Sequence, residues 1–458
     1  MKQHRTLIAT DVPFWRKATG AQTRISSLVD YLSAESFVVR TFYLGQTGSD
    51  RFTEKDRQLI ADQELDVEQQ SSDQMPKSWP GKIGWYANQI RPKLSSGSRE
   101  SDNAGAPPSQ LRSSLRLADF QWPWTSKAFC ESVAQFQPDS ILIEYVKLSY
   151  LIDGLDARQR NAIHCVIDTH DALHLRCEKF KQRGYQHWIE ISREEEAREL
   201  DKFDTVIAIQ PEEAKLFEQM APHAKTIVCG YAPESKFNSP QPNATSGESS
   251  AANDQTTTNI LSVGYLGSIN DSNAQAIESF LVNVWLPLQQ RLAHEKHPAE
   301  TPQIQLLIGG SICQFVTENN STSEMVANVT NIRLLGHIEN IETFYQSVDV
   351  VINPVEFGTG LKIKSVEGLA FGKPLLSTPQ GVVGLELPPR SVAASEQLLD
   401  EAIIVCQTIG QFLPELERLA RDPSQLRARK RAAQMLAKSA FSSQHAYSPL
   451  KRILLKGK

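Results

Sequence analysis

Several features that define large classes of proteins are missing from the sequence. No apolar run reaches the roughly 18 residues that a membrane-spanning helix requires, and the N-terminal apolar run is too short for a secretory signal. The six cysteines form no C-x-x-C pair, which predicts reduced thiols rather than a zinc site or a disulfide framework. Nucleic-acid-binding proteins typically carry an excess of basic residues, whereas this sequence has a formal net charge of −5. We therefore expect a cytoplasmic protein that does not bind nucleic acid.

What the sequence does contain is an alternation of short apolar runs and helix-like segments over 458 residues. Single cores stop growing near about 250–300 residues, so we expect two domains. No G-x-G-x-x-G motif follows the first predicted strand of either half, which argues against a dinucleotide-dependent dehydrogenase. The alternation predicts an α/β fold with parallel sheets. Strands are predicted at 5–10, 38–44, 139–145, 165–168, 204–209, 226–229, 260–264, 305–310, 332–336 and 348–352.

Three segments interrupt this alternation. Residues 45–130 are mostly polar and poorly periodic, which predicts an irregular insertion. Residues 190–202 carry many charges, which is typical of a helix with a solvated face. Residues 238–259 are polar and of low complexity, and we interpret them as a flexible linker between the domains.

The stretch at 354–374 reads P-V-E-F-G-T-G-L-K-I-K-S-V-E-G-L-A-F-G-K-P and places a glycine-rich loop between a predicted strand and a predicted helix. The free N–H groups of such a loop and the positive end of a helix dipole suit a phosphate. Lys362 and Lys364 add positive charge, and Glu367 can accept hydrogen bonds from sugar hydroxyls. A tight turn with solvated lysines would give the same pattern, so the loop alone leaves both interpretations open.

The flanking segments extend this pattern. N-I-R-L-L-G-H-I-E-N-I-E-T-F-Y-Q-S-V-D-V-V-I-N-P leads into the loop from Asn331, and P-L-L-S-T-P-Q-G-V-V-G-L follows it to Leu385. The continuous stretch resembles the donor-binding half of retaining glycosyltransferases of family 4, the glycosyl transferases group 1. The resemblance implies the GT-B fold, in which two Rossmann-like domains face each other across a cleft. It also implies donor contacts from Gly358, Thr359, Gly360, Leu361, Lys362, Lys364 and Glu367.

The resemblance continues more weakly over the rest of the chain and implies its division. An acceptor-side domain would occupy 1–237, a nucleotide-sugar-binding domain 260–440, and a final helix at 441–458 would cross back to the first domain. The implied activity is transfer of a hexose from a nucleotide-sugar to a glycan or lipid-linked acceptor, with retention. The nucleotide-sugar would be a co-substrate, no further cofactor is expected, and the product would be a cell-surface polysaccharide or glycolipid.

Other glycine-containing loops follow predicted strands. Gly20 stands at the entrance of a helix, and in the resembled family that loop lies under the donor diphosphate and faces the acceptor. Gly267 and Gly309 belong to the corresponding loops of the second half, and His337 would face the nucleobase. For Gly20 alone, a plain turn between strand and helix stays open.

Two departures from the family pattern concern the donor site. Many members carry an arginine or lysine in the loop after strand 260–264, where this chain has Ser268 and Asn270, so the lysines after the glycine loop would have to replace it. Many also carry two glutamates a fixed distance apart. Glu367 matches the second, but Thr359 stands where the first is expected. A catalytically inactive binding protein therefore stays open, as does a nucleotide-sugar epimerase on the same fold.

His170 follows strand 165–168 in V-I-D-T-H-D-A-L-H-L-R. A residue at the carboxyl end of a parallel strand faces the crevice where open α/β sheets bind ligands. The segment resembles the family segment whose histidine lies beside the transferred sugar, which makes His170 the candidate catalytic residue and Asp171 and Arg176 candidates on the acceptor side. A structural histidine is the alternative. No D-x-D motif occurs in these segments, so we expect no metal ion.

The stretch at 77–99 carries lysines, arginines and aromatic residues without an acidic residue. Such a stretch can lie on an anionic membrane surface, where a lipid-linked acceptor would be found. A solvated insertion is the more common interpretation. A peripheral membrane contact is therefore a hypothesis for this stretch.

Overall fold

The computed structural model describes residues 3–45, 52–70, 114–233, 260–295, 301–329, 331–385 and 392–457. The basic stretch at 77–99 and the linker at 238–259 lie outside these residues, so the membrane contact and the flexible linker stay predictions. None of the described helices combines the length and the apolar character needed to cross a membrane.

The first sheet has seven strands, all parallel: β1 (Arg5–Thr10), β2 (Val38–Tyr43), β3 (Val67–Gln69), β4 (Ser140–Glu144), β5 (His164–Asp168), β6 (Thr205–Ala208) and β7 (Lys225–Val228). Their order is β3-β2-β1-β4-β5-β6-β7. The chain therefore winds outwards in both directions from the β1–β4 pair. This reversal leaves a crevice beyond the carboxyl ends of these two strands, which is where such sheets bind ligands.

Seven helices accompany this sheet: α1 (Gly20–Ala34), α2 (Glu54–Asp62), α3 (Pro123–Phe136), α4 (Ala157–Ala162), α5 (Leu173–Gln182), α6 (Arg193–Leu200) and α7 (Pro211–Met220) in the described residues. Short 3₁₀ segments occur at Phe14–Arg16, Leu117–Phe120 and Val146–Gly154. The central strands are buried on both faces, because separate apolar clusters pack against each side of the sheet. The apolar runs that predicted these strands are thus explained by burial on two faces.

The second sheet has six parallel strands: β8 (Ile260–Leu266), β9 (Gln303–Gly309), β10 (Ile332–Gly336), β11 (Val350–Asn353), β12 (Leu375–Ser377) and β13 (Ile403–Val405). Their order, β10-β9-β8-β11-β12-β13, reverses between β8 and β11. The loops after these two strands therefore border the crevice of this sheet, and the glycine-rich loop is one of them.

The helices of the second sheet are α8 (Asp271–Phe280), α9 (Leu286–Ala293), α10 (Ile312–Glu318), α11 (Asn320–Asn328), α12 (Ile341–Gln346), α13 (Ile363–Ala370), α14 (Val392–Ala402), α15 (Phe412–Arg421) and α16 (Pro423–Ala440). A π-helical turn at Leu281–Trp285 joins α8 to α9, and 3₁₀ turns occur at Gln380–Val382 and Ile409–Gln411. The expectation of an α/β fold with two parallel sheets is confirmed.

The last helix, α17 (Ser443–Lys456), packs on the first domain although it follows the second in the sequence. Tyr447 and Leu450 share an apolar cluster with Ile25 and Leu28 of α1. The two domains are thus joined at this second crossing of the chain as well as at the connection after β7.

The local structure differs from the sequence-based expectation at two places. The described part of the stretch at 45–130 is not irregular, because it contains α2 and the edge strand β3. Helix α2 was not predicted because almost all of its residues are polar. The edge strand β13 was not predicted either, because the three residues that follow the end of α14 at Ala402 are too few to show periodicity. Helix α6 has the solvated face expected for residues 190–202. On its other face, Glu196 is fully buried and accepts hydrogen bonds from the backbone N–H groups of Leu173 and His174, both at 2.9 Å.

Candidate functional site

A cleft of about 820 Å³ lies where the carboxyl ends of the two sheets face each other. The loops after β1, β4 and β5 form one wall, and the loops after β8, β9, β10 and β11 form the other. Gly309, which was predicted to contact the donor, does not line the cleft; a Cβ at its position would stand 2.9 Å from the side chain of Ile338. The next residue, Gly310, lines the cleft instead. The other predicted site residues line the cleft: Gly20, His170, Asp171, Arg176, Gly267, His337, Gly358, Thr359, Gly360, Leu361, Lys362, Lys364 and Glu367.

The glycine-rich loop has a shape that only glycine adopts without strain at two positions. The φ angles of Gly358 and Gly360 are +121° and +71°. The Nζ of Lys362 folds back on the loop and donates hydrogen bonds to the carbonyl oxygens of Thr359 at 2.6 Å and Gly360 at 3.1 Å. The loop is therefore held in one shape by its own lysine.

The two lysines next to this loop are half-buried positive charges without a salt-bridge partner among the described residues. Lys364 donates hydrogen bonds to the hydroxyl of Tyr265 at 3.1 Å and to the side-chain oxygen of Asn273. Burial lowers the pKa of Lys362 to about 8. Burial, and then the charge of Lys362, lower the pKa of Lys364 to about 7. Both values fall because the cost of desolvating the ammonium groups exceeds the attraction of the nearby carboxylates, Asp171 for Lys362 and Glu367 for Lys364; a bound anion would add further negative charge.

Glu367 lies on α13 and is only 5% exposed. Its Oε1 accepts a hydrogen bond from the hydroxyl of Tyr231 at 3.1 Å, and its Oε2 accepts one from Tyr345 at 3.0 Å. Burial raises the pKa of Glu367 to about 7. A carboxylate offers about four lone-pair positions, so this group keeps acceptor capacity towards the cleft while the tyrosines fix its orientation.

His170 occupies the position that the sequence predicted, at the end of β5 and on the wall opposite the lysines. Its φ angle is +58°, a conformation that histidine adopts more readily than most side chains. Its Nε2 pairs with the carboxylate of Glu144, and its ring stacks on Tyr145 with centroids 4.1 Å apart and planes 8° apart. The position of the imidazole ring is therefore set by its hydrogen bond to Glu144 and by stacking on Tyr145.

A buried charged network beneath His170 was missed by the sequence analysis. Arg24 of α1 forms an ion pair with Asp168 and donates to the carbonyl oxygen of Cys229 at 2.9 Å. Burial, and then the charge of Asp168, raise the pKa of Glu144. Two features of the sequence could have indicated this network. Glu144 and Asp168 are carboxylates at the ends of two apolar strands, S-I-L-I-E and H-C-V-I-D, and Arg24 is an arginine beside the apolar stripe of α1.

The same carboxylates form a group that could hold a cation. One ligand atom from each of Glu144, Asp168 and His170 lies within 4.8 Å of the other two. Arg24 already compensates Asp168, however, and His170 already pairs with Glu144. We therefore interpret the group as a hydrogen-bonded network that fixes the position of the histidine.

Asp171 was predicted on the acceptor side, but it lies against the glycine-rich loop of the opposite domain. A Cβ on Gly360 would stand 3.2 Å from its Oδ1, and Arg176 donates to its Oδ2 at 2.6 Å. Glu213 lies behind it, and burial followed by the charge of Asp171 raises the pKa of Glu213 to about 8. Asp171 therefore lies close to the glycine-rich loop across the cleft.

The two domains approach each other closely at two further points. A Cβ on Gly20 would lie 3.0 Å from a side-chain carbon of Ile363, so the absence of a side chain lets the start of α1 reach the start of α13. The Nζ of Lys179 donates a hydrogen bond to the carbonyl oxygen of Gly358 at 3.1 Å. The start of α1 thus contacts the start of α13, and helix α5 contacts the glycine-rich loop next to Lys362 and Lys364.

The shape of this loop gives a first testable prediction. We expect Gly360→Ala to weaken the binding of a diphosphate-containing ligand by about tenfold, because a side chain at positive φ is strained and would also displace Asp171. Gly184→Ala is the matched control, since Gly184 has a φ of +77° with nothing within 4 Å of its Cβ position. Calorimetric titration of both variants measures the difference. Equal affinities would show that the loop shape does not matter.

Comparison with known proteins agrees with this geometry. The family model described as glycosyl transferases group 1 matches residues 261–401, which lie in the second domain. Sucrose-phosphate synthase from Thermosynechococcus elongatus superposes with a TM-score of 0.62 at 15% identity, covering 99% of each chain. Anabaena HepE in complex with UDP and glucose gives a TM-score of 0.59 at 12% identity, covering 99% of this chain and 100% of HepE.

The catalytic domain of starch synthase IV from Arabidopsis thaliana, bound to ADP and acarbose, also gives a TM-score of 0.59 at 12% identity, covering 100% of this chain and 99% of that domain. No curated protein matches the chain by sequence. The fold is therefore GT-B, with two Rossmann-like domains and a cleft between them. The expectation drawn from the sequence is confirmed at the level of the fold.

Proposed function

We propose that the protein is a glycosyltransferase that moves a hexose from a nucleotide-sugar to an acceptor hydroxyl, with retention of the anomeric configuration and without a metal ion. The observation that carries the proposal is the pair of half-buried lysines, Lys362 and Lys364, on the wall opposite His170, neither of which forms a salt bridge with a described residue. A nucleoside diphosphate would bring the negative charge that this part of the cleft lacks. The family match over 261–401 and the ADP and UDP named with two similar structures support this assignment.

The leaving group accounts for the features of the second domain. When the bond between the anomeric carbon and the phosphate oxygen breaks, its electron pair goes to the diphosphate. The ammonium groups of Lys362 and Lys364 would stabilise the negative charge of the departing diphosphate, together with the N-terminus of α13 and the N–H groups of the glycine-rich loop. Groups that are held in place before the reaction stabilise developing charge without reorganising.

The reacting sugar accounts for the features of the first domain. As the donor bond breaks, the sugar gains positive charge, and the acceptor oxygen forms the new bond on the face that the phosphate leaves. The acceptor proton passes to an oxygen of the leaving phosphate. His170, fixed by Glu144 and Tyr145, would hydrogen-bond a sugar hydroxyl and orient the ring. The nearby Glu144 carboxylate would favour positive charge on that side of the cleft.

The acceptor belongs to the proposal as a class only. We propose a glycan or lipid-linked glycan of a cell-surface polymer or glycolipid, modified on the cytoplasmic side. The basic stretch at 77–99 is the candidate contact with a membrane surface.

Calorimetric titration of UDP-glucose, ADP-glucose and GDP-mannose at about pH 8 tests the proposal. A bound diphosphate favours the ammonium form of Lys364, whose pKa is about 7 in the free protein, so binding should take up protons. The apparent heat should then depend on the ionisation enthalpy of the buffer, and affinity should fall by up to about tenfold per pH unit above pH 7.

Lys364→Arg is the control for this titration, because arginine stays charged and its variant should lose the proton uptake of Lys364 and keep only the smaller uptake of Lys362, whose pKa is about 8. It also separates Lys364 from Glu367, whose pKa is about 7 as well. If none of a full set of nucleotide-sugars binds, the proposed function fails. If one binds with no proton uptake, the role of Lys364 fails while the function stands.

A further inference from the structure

Trp188 is the only exposed aromatic side chain among the described residues, and it stands on the cleft wall at 37% exposure. Both its backbone and its ring have contacts within the first domain. Its carbonyl oxygen accepts a hydrogen bond from Leu115 at 3.0 Å, and its ring packs edge-on against Phe120 with centroids 6.0 Å apart. A large apolar ring held open to solvent inside a binding cleft indicates a ligand that covers it.

A row of contacts connects this ring to the candidate catalytic histidine. The Nζ of Lys147 lies 5.2 Å from the ring centroid of Trp188 and 5.4 Å from that of Tyr145. Tyr145 in turn stacks on His170. Trp188, Lys147, Tyr145 and His170 all line the cleft on the first-domain side. A molecule lying along this row would reach from His170 to the indole ring.

The charges of this wall differ from those of the donor wall. Lys147 pairs with Asp11, and Arg176 pairs with Asp171 at 2.6 Å. The same holds for the next two cations along the wall, which are Arg16 with Asp56 and Lys17 with Asp30. Each of these cations already has a carboxylate, whereas Lys362 and Lys364 have none among the described residues. The first-domain wall therefore does not provide the uncompensated positive charge that a phosphate or carboxylate substituent would select.

Resting on the proposed function, we propose that Trp188 is the stacking platform of the acceptor subsite and that the acceptor group bound there is an uncharged sugar ring. The C–H face of a sugar packs against an aromatic ring, while its hydroxyls can accept hydrogen bonds from the ammonium group of Lys147. The Asp11 carboxylate holds that ammonium group in place. Trp188 is then the residue that favours a sugar ring at this position, and the paired cations of the wall leave an anionic acceptor without an advantage.

The test measures sugar binding directly by ligand-observed saturation-transfer NMR. The probes are the methyl glycosides of glucose, galactose, mannose and N-acetylglucosamine, together with the corresponding 6-phosphates. We expect at least one neutral glycoside to bind the wild-type protein, and its phosphate to bind no more tightly. Trp188→Ala should weaken that binding by about tenfold, equivalent to about 1.4 kcal/mol, while Trp188→Phe should keep most of it.

Val282→Ala is the matched control, because Val282 is 39% exposed and lies outside the cleft wall; it should bind the sugar as the wild type does. The subsite is overturned if no neutral glycoside binds, if Trp188→Ala binds as well as wild type, or if a 6-phosphate binds tenfold more tightly. Nucleotide-sugar titration of the wild-type protein separates this failure from failure of the proposed function, because donor binding does not require the acceptor subsite.

Discussion

We expect His170→Ala to lower kcat and kcat/KM together, by about 10²–10³, where each tenfold corresponds to about 1.36 kcal/mol of barrier. The reason is that Glu144 and Tyr145 hold the imidazole at the end of β5, so it can orient the sugar as charge develops. Nucleotide affinity should change little, because the lysines and the glycine-rich loop belong to the other domain. Steady-state kinetics and a nucleotide titration on one preparation measure both effects.

The backbone at this position requires a second variant. Alanine at a φ of +58° is strained, so His170→Ala also loses some stability. His170→Asn is the better match, because asparagine adopts positive φ readily. If His170 is only structural, the asparagine variant should unfold at a lower temperature and keep the turnover of its folded fraction. A loss of turnover at an unchanged melting temperature supports the catalytic role.

Lys364→Met should lower kcat/KM by about 10²–10³, which is the loss seen when one group that stabilises developing negative charge is removed. The free energy of unfolding should stay the same or rise, because the variant removes a charge that desolvation disfavours, as the lowered pKa of Lys364 shows. Asn273 keeps the hydroxyl of Tyr265 as a hydrogen-bond partner at 3.3 Å. Activity and stability are thus expected to move independently.

Lys373→Met is the control for this variant. Lys373 follows the same helix and donates to the carbonyl oxygen of Val348 at 2.9 Å, but it does not line the cleft. Its variant should keep the activity of the wild type. If Lys364→Met instead destabilises the protein and retains turnover, the lysine is structural and the account of the leaving group is wrong.

The parts of the fold that the sequence predicted are those with a strong local signal. Strand β1 at Arg5–Thr10 has the predicted bounds, because burial on two faces marks it in the sequence as an apolar run. The edge strand β10 at Ile332–Gly336 also has the predicted bounds. Helix α2 and strand β13 were missed because one is almost wholly polar and the other has three residues.

The residues of the candidate site likewise fall into those that a local sequence pattern predicts and those that it does not. The glycine-rich loop and its lysines could be predicted because they lie within one continuous stretch. The partners of His170 could not, since Glu144 is separated from it by 26 positions and Arg24 from Asp168 by 144. The same applies to Glu367, whose two tyrosines come from the segment after β7 and from α12. Long-range pairs of this kind are set by the strand order, which local pattern does not determine.

The central claim is sugar transfer with retention, and proton NMR of a nucleotide-sugar incubated with the protein tests it most directly. With the donor that binds and no acceptor, we expect slow hydrolysis that releases the α-anomer of the same sugar from an α-linked donor, before mutarotation. Release of the β-anomer would contradict retention. Appearance of an epimerised sugar would point to the epimerase alternative, and binding without any turnover, even with neutral glycosides present, would show that the protein is not a transferase.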